Sequence, residues 1–139
     1  MNIVVAYQPS SEASTEDALR LHAMLTTRDH VTVSDLRVSS SLLPFVSSAQ
    51  FRAGFEAAGG DTVFLCTDMD DQVASVVSVS RDMNALSMSF QEDVLRAGTA
   101  LAIVLDPDGR HRILVNLPAS RAEGVAFSPA LLELAEIVR

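Results

Sequence analysis

Three aspartates, Asp68, Asp70 and Asp71, stand directly behind the apolar run Thr62–Thr67. In an open α/β sheet the loops at the carboxyl ends of strands line the ligand crevice, so acids placed there could hold a divalent cation or accept a phosphoryl group. Two features oppose that chemistry. The first strand is followed by Gln8-Pro9 instead of an acid pair, and the chain contains no lysine to complete a phosphoryl-acceptor set. Acids also belong at a helix N-terminus, where the backbone dipole favours negative charge, and capping is the reading preferred for Asp68–Asp71. Gln8-Pro9-Ser10-Ser11 is the second candidate, since its hydroxyls and the helix behind it could hold a small anion. Glu12, Glu16 and Asp17 oppose an anion there. If the strands are neighbours, Gln8, Ser10, Thr67, Asp68 and Ser89, with Gln91 beside it, form a modest polar ligand pocket.

Other chemistry is sparse. His22, His30 and His111 fall on different elements without ligand spacing, so no metal site is expected. Cys66 lies in Val63-Phe64-Leu65-Cys66 with no basic neighbour to lower its pKa, which predicts a buried core thiol rather than a nucleophile. No G-x-S-x-G, G-x-G-x-x-G, Walker A or H-E-x-x-H pattern occurs. The expectation is a protein that is not an enzyme, with no catalytic residues and no cofactor.

The elements that must position these residues alternate along the chain. Asn2–Tyr7 is a continuous apolar run, as in a strand buried on both faces. A helix capped by Ser14 or Thr15 follows to about Arg28, with Ala18, Leu21, Met24 and Leu25 as its apolar stripe and His22 on its exposed side. Val31–Leu36 alternates as a strand. Arg37–Ser48, rich in serine and holding Pro44, is expected to be a loop. Ala49–Ala58 is a helix stopped by Gly59-Gly60. A strand over Thr62–Thr67 precedes a helix from Asp71 to Arg81, which turns Val73, Val76, Val77 and Ser80 inward. A strand over Ala85–Phe90 and a short helix over Gln91–Ala97 lead to Gly98.

From Gly98 the pattern is sharper. Ala100–Leu105 and Ile113–Leu117 flank Asp106-Pro107-Asp108-Gly109, a strong hairpin signal. A last helix over Ala130–Val138 is expected to bury Leu131, Leu132, Leu134, Ala135 and Val138. The order predicts an α/β three-layer sandwich in which helices flank a mostly parallel, mixed sheet. It ends in a β-hairpin and a C-terminal helix, and residues 1–139 form one domain.

Gly98, the turn Asp108-Gly109-Arg110, then Arg112, Asn116 and Leu117, then Ser128, Leu131, Leu132, Leu134, Ala135, Val138 and Arg139 resemble the signature end of the YfiR/HmsC-like family of small, usually periplasmic, bacterial regulators. Asp61–Asp68 and Asn84–Phe90 resemble its middle strands. The resemblance implies a regulatory protein that restrains a membrane-bound diguanylate cyclase through protein contact, lowers cyclic-di-GMP and biofilm formation, and often acts as a dimer. For the contact the sequence offers Leu42, Leu43, Phe45, Val46 and Phe51, in a segment of weak secondary-structure signals, although covering the sheet is the reading preferred for them. The alternative is a small-molecule sensor or solute-binding module.

The chain of 139 residues carries a net charge of −8. That charge argues against nucleic acid as a partner, and no apolar run is long enough to insert in a membrane. A protein partner and a homo-oligomer, a dimer, are expected. The chain opens on strand residues without a basic leader, so the expected compartment is the cytoplasm. The alternative is the periplasm, by the resemblance, if a leader has been removed.

Overall fold

The computed structural model describes residues 1–26, 32–33 and 36–138. Elements follow in the order β1 (Asn2–Tyr7), α1 (Glu12–Thr26), β2 (Thr32–Val33), β3 (Leu36–Arg37), β4 (Ser39–Pro44), α2 (Ser48–Ala58) and β5 (Thr62–Leu65). A 3-10 turn, Asp70–Gln72, leads to α3 (Val73–Asp82), β6 (Leu86–Ser89), α4 (Glu92–Ala97), β7 (Leu101–Leu105), β8 (His111–Asn116), α5 (Leu117–Ala122), α6 (Pro129–Leu134) and β9 (Glu136–Val138). Seven strands form one sheet in the order β4-β1-β5-β6-β7-β8-β9, and β2 and β3 pair separately as an antiparallel ribbon. In the large sheet β7–β8 is the antiparallel joint and every other pairing is parallel. This is the mixed, mostly parallel α/β sheet that the strand–helix alternation predicts.

Side-chain alternation along each strand divides the core into two faces. Val4, Ala6, Val63 and Leu65 point to one side, where Phe51 and Phe55 of α2, Val73, Val76, Val77 and Val79 of α3 and Val94 of α4 bury them. Val5, Phe64 and Cys66 point to the other, against Ala18 of α1 with Leu21 beside it. Leu95, Ala102 and Leu114 form a smaller core under α4 and β7–β8. The inward positions expected of α3, Val73, Val76, Val77 and Ser80, are all buried.

Several expectations are corrected. Most of the segment 37–48 is not a loop, which is kept only around 45–47: Ser39–Pro44 forms the edge strand β4, paired parallel to β1 from Asn2↔Ser39 to Tyr7↔Pro44. Serines carry weak strand preference, and here backbone pairing with a strongly apolar neighbour overrides it. Helix α1 starts at Glu12, because Ser11 accepts the Ser14 N–H through its Oγ at 3.1 Å, the geometry of a cap. Ser14 is instead buried and accepts the Gln8 N–H at 2.9 Å. Met24 is exposed. The C-terminal helix is present but stops at Leu134, and Glu136–Val138 returns to the sheet as β9 beside β8. Its expected buried stripe is absent: no residue of α6 is buried, Leu134 is largely exposed, and Val138 packs against the third core as a strand residue. Residues 27–31, 34–35 and 139 lie outside the described residues, and with them the expected end of α1 near Arg28, part of the Val31–Leu36 strand and the turn histidine His30.

A cleft at the carboxyl ends of the strands

The loops behind β1, β5 and β6 meet at one end of the sheet. Ser11 Oγ donates to Asp68 Oδ2 at 2.6 Å and ties the first two loops together. Asp68 adopts a left-handed backbone, φ 58°, to reach it. Asp68, Asp70 and Asp71 make no side-chain cap for the helix behind them: neither Met69 nor Gln72, the capping positions, has a side-chain cap bond. The capping expectation is thus corrected. Asp70 and Asp71 are exposed in the 3-10 turn, where the dipole alone favours them. Among the described residues no group of three His, Cys, Asp or Glu side chains is placed to hold a metal ion.

Next to these loops lies an open cleft of about 460 Å³ between α1 and the sheet. Ala13, Glu16, Asp17 and Arg20 line its helix side, and Phe64, Thr67, Phe90 and Gln91 its sheet side. Its origin is local. Positions 13, 16, 17 and 20 share one helical face, and this face carries charge instead of apolar bulk, so nothing fills the space in front of Phe90. The Phe64 and Phe90 rings meet edge-to-face with centroids 4.6 Å apart, and Phe90 stays half exposed at 49%.

The polar lining is built, not random. The Thr67 N–H donates to Asp17 Oδ2 at 3.1 Å, which anchors α1 to the end of β5. Gln91 Nε2 donates to Thr67 Oγ1 at 3.1 Å. The buried Ser89 fixes Gln91 from behind, donating through Oγ to the Gln91 carbonyl and accepting the Gln91 N–H. Gln91 Oε1 is buried without a hydrogen-bond partner. None of the ion pairs among the described residues involves Glu16, Asp17 or Arg20.

Of the pocket residues expected from sequence, Thr67 lines the cleft, Ser89 supports it and Asp68 closes the adjoining loop, whereas Gln8 and Ser10 are not among its lining residues. Sequence reasoning missed the α1 face and the two phenylalanines. The available signal was charge at positions 16, 17 and 20 on a helix that must pack on a sheet. Of the contact segment, Phe51 is fully buried and so offers no surface, Leu42, Leu43 and Phe45 are packed against the core, and Val46 is 65% exposed.

The remaining candidates are accounted for by structure. Cys66 is buried, and burial, with the Asp17 carboxylate nearby, pushes its thiol up to about 12. His22 is half buried and joins α1 to β4 through Ser40 Oγ at 3.0 Å, not exposed as expected, while His111 is exposed. Asn116 Oδ1 caps α5 by accepting the Ala119 N–H, and its Nδ2 donates to the Leu95 carbonyl. The Arg112 guanidinium donates to Asp106, Glu136 and Glu92, which clamps the hairpin, β9 and α4 together.

The profile of the YfiR/HmsC-like family matches residues 46–136. No curated protein matches the chain. Among solved structures, an ABC domain from Streptococcus pneumonia in complex with L-Trp superposes with a TM-score of 0.75 at 12% identity over 99% of this chain and 55% of that one. A ligand-free, open substrate-binding protein with adhesive properties from Clostridium difficile gives 0.71 at 15% over 99% and 54%. A conserved domain protein from Vibrio cholerae gives 0.65 at 12% over 99% and 54%. The chain therefore spans about half the length of these structures and shares their fold.

Proposed function

The chain belongs to the YfiR/HmsC-like family, a family of regulators, and from that premise we propose that it restrains a membrane-bound diguanylate cyclase by protein contact and so lowers cyclic-di-GMP and biofilm formation. The supporting observation is the family match, which runs from Val46 at the end of the edge strand to Glu136 in β9 and takes in both site-bearing loops behind β5 and β6. Such a regulator needs a surface and no reacting groups. From the expected contact segment that surface is Val46, since its neighbours are held by the core. Deleting the gene in the native host is expected to raise cyclic-di-GMP, and the wild-type chain is expected to restore it. Val46→Asp is expected to fold normally yet fail to restore it. An unchanged cyclic-di-GMP level after deletion would sink the proposal.

A second reading, a small-molecule sensor, is favoured by the cleft, where a buried amide oxygen lacks a partner and half-exposed aromatic surface lies beside unpaired charges. A ligand-dependent rise in melting temperature separates it from a protein that works by contact alone.

A further inference from the structure

Apolar and acidic surface are gathered at one end of the sheet. Because β4, β1, β5, β6 and β7 run parallel, the segments behind them emerge together. Phe90 follows β6 and Leu105 ends β7. Both stay exposed, around a depression of about 310 Å³ that Ile103 and His111 complete. The register explains it. Met88 pairs with Leu101, so alternation sends Phe90, Ile103 and Leu105 to the same side as Phe64, the side that carries α1. Helix α1 packs over β1 and β4, whereas α4 covers β7 and β8 from the opposite side, where Leu95, Ala102 and Leu114 meet. Parallel sheets are ordinarily covered on both faces, and here part of one face is left open.

The unpaired charges at this end are mostly of one sign. Glu12 and Glu16 lie in the first turns of α1, Asp68, Asp70 and Asp71 stand behind β5, and Asp93 opens α4. All six are exposed, and none joins an ion pair among the described residues. The hairpin acids Asp106 and Asp108 are matched by Arg112 and Arg110. Of the unpaired arginines Arg20 lies along α1, whereas Arg37, Arg81 and Arg121 lie at the other end of the strands. Arg37 precedes β4, Arg81 is in the last turn of α3, and Arg121 is in the last turn of α5 behind the antiparallel β8. The acids do not converge as metal ligands. Together they make a field that attracts cationic surface and repels nucleic acid and anionic lipid, while the apolar centre needs apolar side chains to cover it.

We propose that this end of the sheet docks a basic amphipathic segment of a partner protein, its apolar side chains seated on Phe90, Ile103 and Leu105 and its arginines or lysines facing the acids behind β1, β5 and β6. The proposal rests on the contact reading and names the chemistry of the partner. Exposed ion pairs each contribute little, so the apolar contact holds the segment while the charges steer it and select its sign. Val46 stands at the same end, behind β4.

The test is fluorescence anisotropy of the purified full chain with three labelled peptides of about 18 residues, roughly five helical turns. One carries leucine at helical spacing and arginine elsewhere, the second replaces the arginines by glutamate, and the third shuffles the order of the first. The arginine peptide is expected to bind, and the other two to bind about tenfold more weakly or worse. Leu105→Ser is expected to weaken the arginine peptide about tenfold at an unchanged melting temperature. The double variant Asp70→Asn, Asp71→Asn is expected to weaken it about threefold at low salt and not at high salt. Glu56→Gln and Glu133→Gln, acids outside this end, are expected to leave it unchanged. The proposal is overturned if the shuffled or glutamate peptide binds as tightly as the first, if Leu105→Ser has no effect, if the Glu56 and Glu133 variants weaken binding as much as the aspartate pair, or if no peptide binds at millimolar concentration. It also falls if deleting the gene raises cyclic-di-GMP and the Leu105→Ser chain restores it fully, in which case regulation by contact stands and uses another surface. An unchanged cyclic-di-GMP level after deletion removes the regulator reading alone, and the peptide results then decide the docking surface.

Discussion

Glu123 is fully buried at the end of α5, where it accepts from Ser80 Oγ, from the Ser87 N–H and from Ser87 Oγ. Burial lifts its carboxyl above the ordinary range, and the bonds from Ser87 and Ser80 together with the charge of Arg81 only partly oppose this. A carboxyl whose folded pKa exceeds its unfolded one stabilises the fold below the unfolded value and loses that contribution as pH rises through the folded value. Thermal denaturation from acid toward neutral pH is therefore expected to show a downward contribution to stability that Glu123→Gln removes. The diagnostic is the slope and not the level, because the glutamine amide also disturbs the Ser87 bond. Identical slopes in the two proteins would refute the assignment. Cys66 supplies a second residue-level expectation. With its thiol pushed up to about 12, it should resist thiol reagents at neutral pH in the folded protein and react only when the chain opens. Cys66 was legible in sequence from its apolar neighbours. Glu123 was not, because a lone acid in a polar stretch announces no partners, and Ser80 and Ser87 lie far away along the chain.

At the scale of elements, legibility followed the range of the forces involved. Helix α2 was readable because its stop is local: Gly59 takes φ 64° at the C-cap and Gly60 abuts the core. A methyl group on Gly60 would sit 2.7 Å from the Phe55 ring and 2.8 Å from Val4 Cγ2, whereas one on Gly59 meets nothing within 4 Å. Gly60→Ala is thus expected to cost about 1–3 kcal/mol through overpacking. Gly59→Ala costs about 1 kcal/mol through backbone conformation alone. Chemical denaturation of both variants separates the two mechanisms. Strands β4 and β9 were not readable in the same way. Each is an edge strand held by one neighbour, so its conformation is decided by a pairing partner distant in sequence. The same burial pattern predicts that Phe51→Ala costs about 3–5 kcal/mol, a cavity in the main core. Val46→Asp should change stability by no more than about 0.5 kcal/mol.

Across the whole molecule the two faces of the sheet are unequally covered. Three helices, α2, α3 and α4, bury one face, whereas α1 packs on the other beside β1, β4 and β5. Beyond α1's reach Phe90 is 49% and Leu105 61% exposed, and both line a shallow depression with Ile103 and His111. Apolar surface of this kind marks contact sites or liabilities for association. Exchanging Leu105 for serine is expected to leave the melting temperature nearly unchanged while reducing binding of an apolar fluorescent dye by the native protein. A large loss of stability would mean that this surface is core. The alternation of strands and helices made the layered architecture legible from sequence. The cleft was only partly so, since Thr67 and Ser89 could be placed from strand order, but the charged α1 face acquires meaning only once it is seen opposite Phe64 and Phe90.

The strand order also sets a clock. All four residues of β5 are buried between β1 and β6, near the centre of the seven-stranded ladder, whereas the three residues of β9 hold one edge with two of them exposed. Amide hydrogens of β5 can meet solvent deuterium only when the molecule opens as a whole, and those of β9 whenever the tail peels from β8. Exchange should therefore spread inward from Glu136–Val138 over time, and a mass spectrum taken early would find the C-terminal peptide deuterated while Thr62–Leu65 remains protonated.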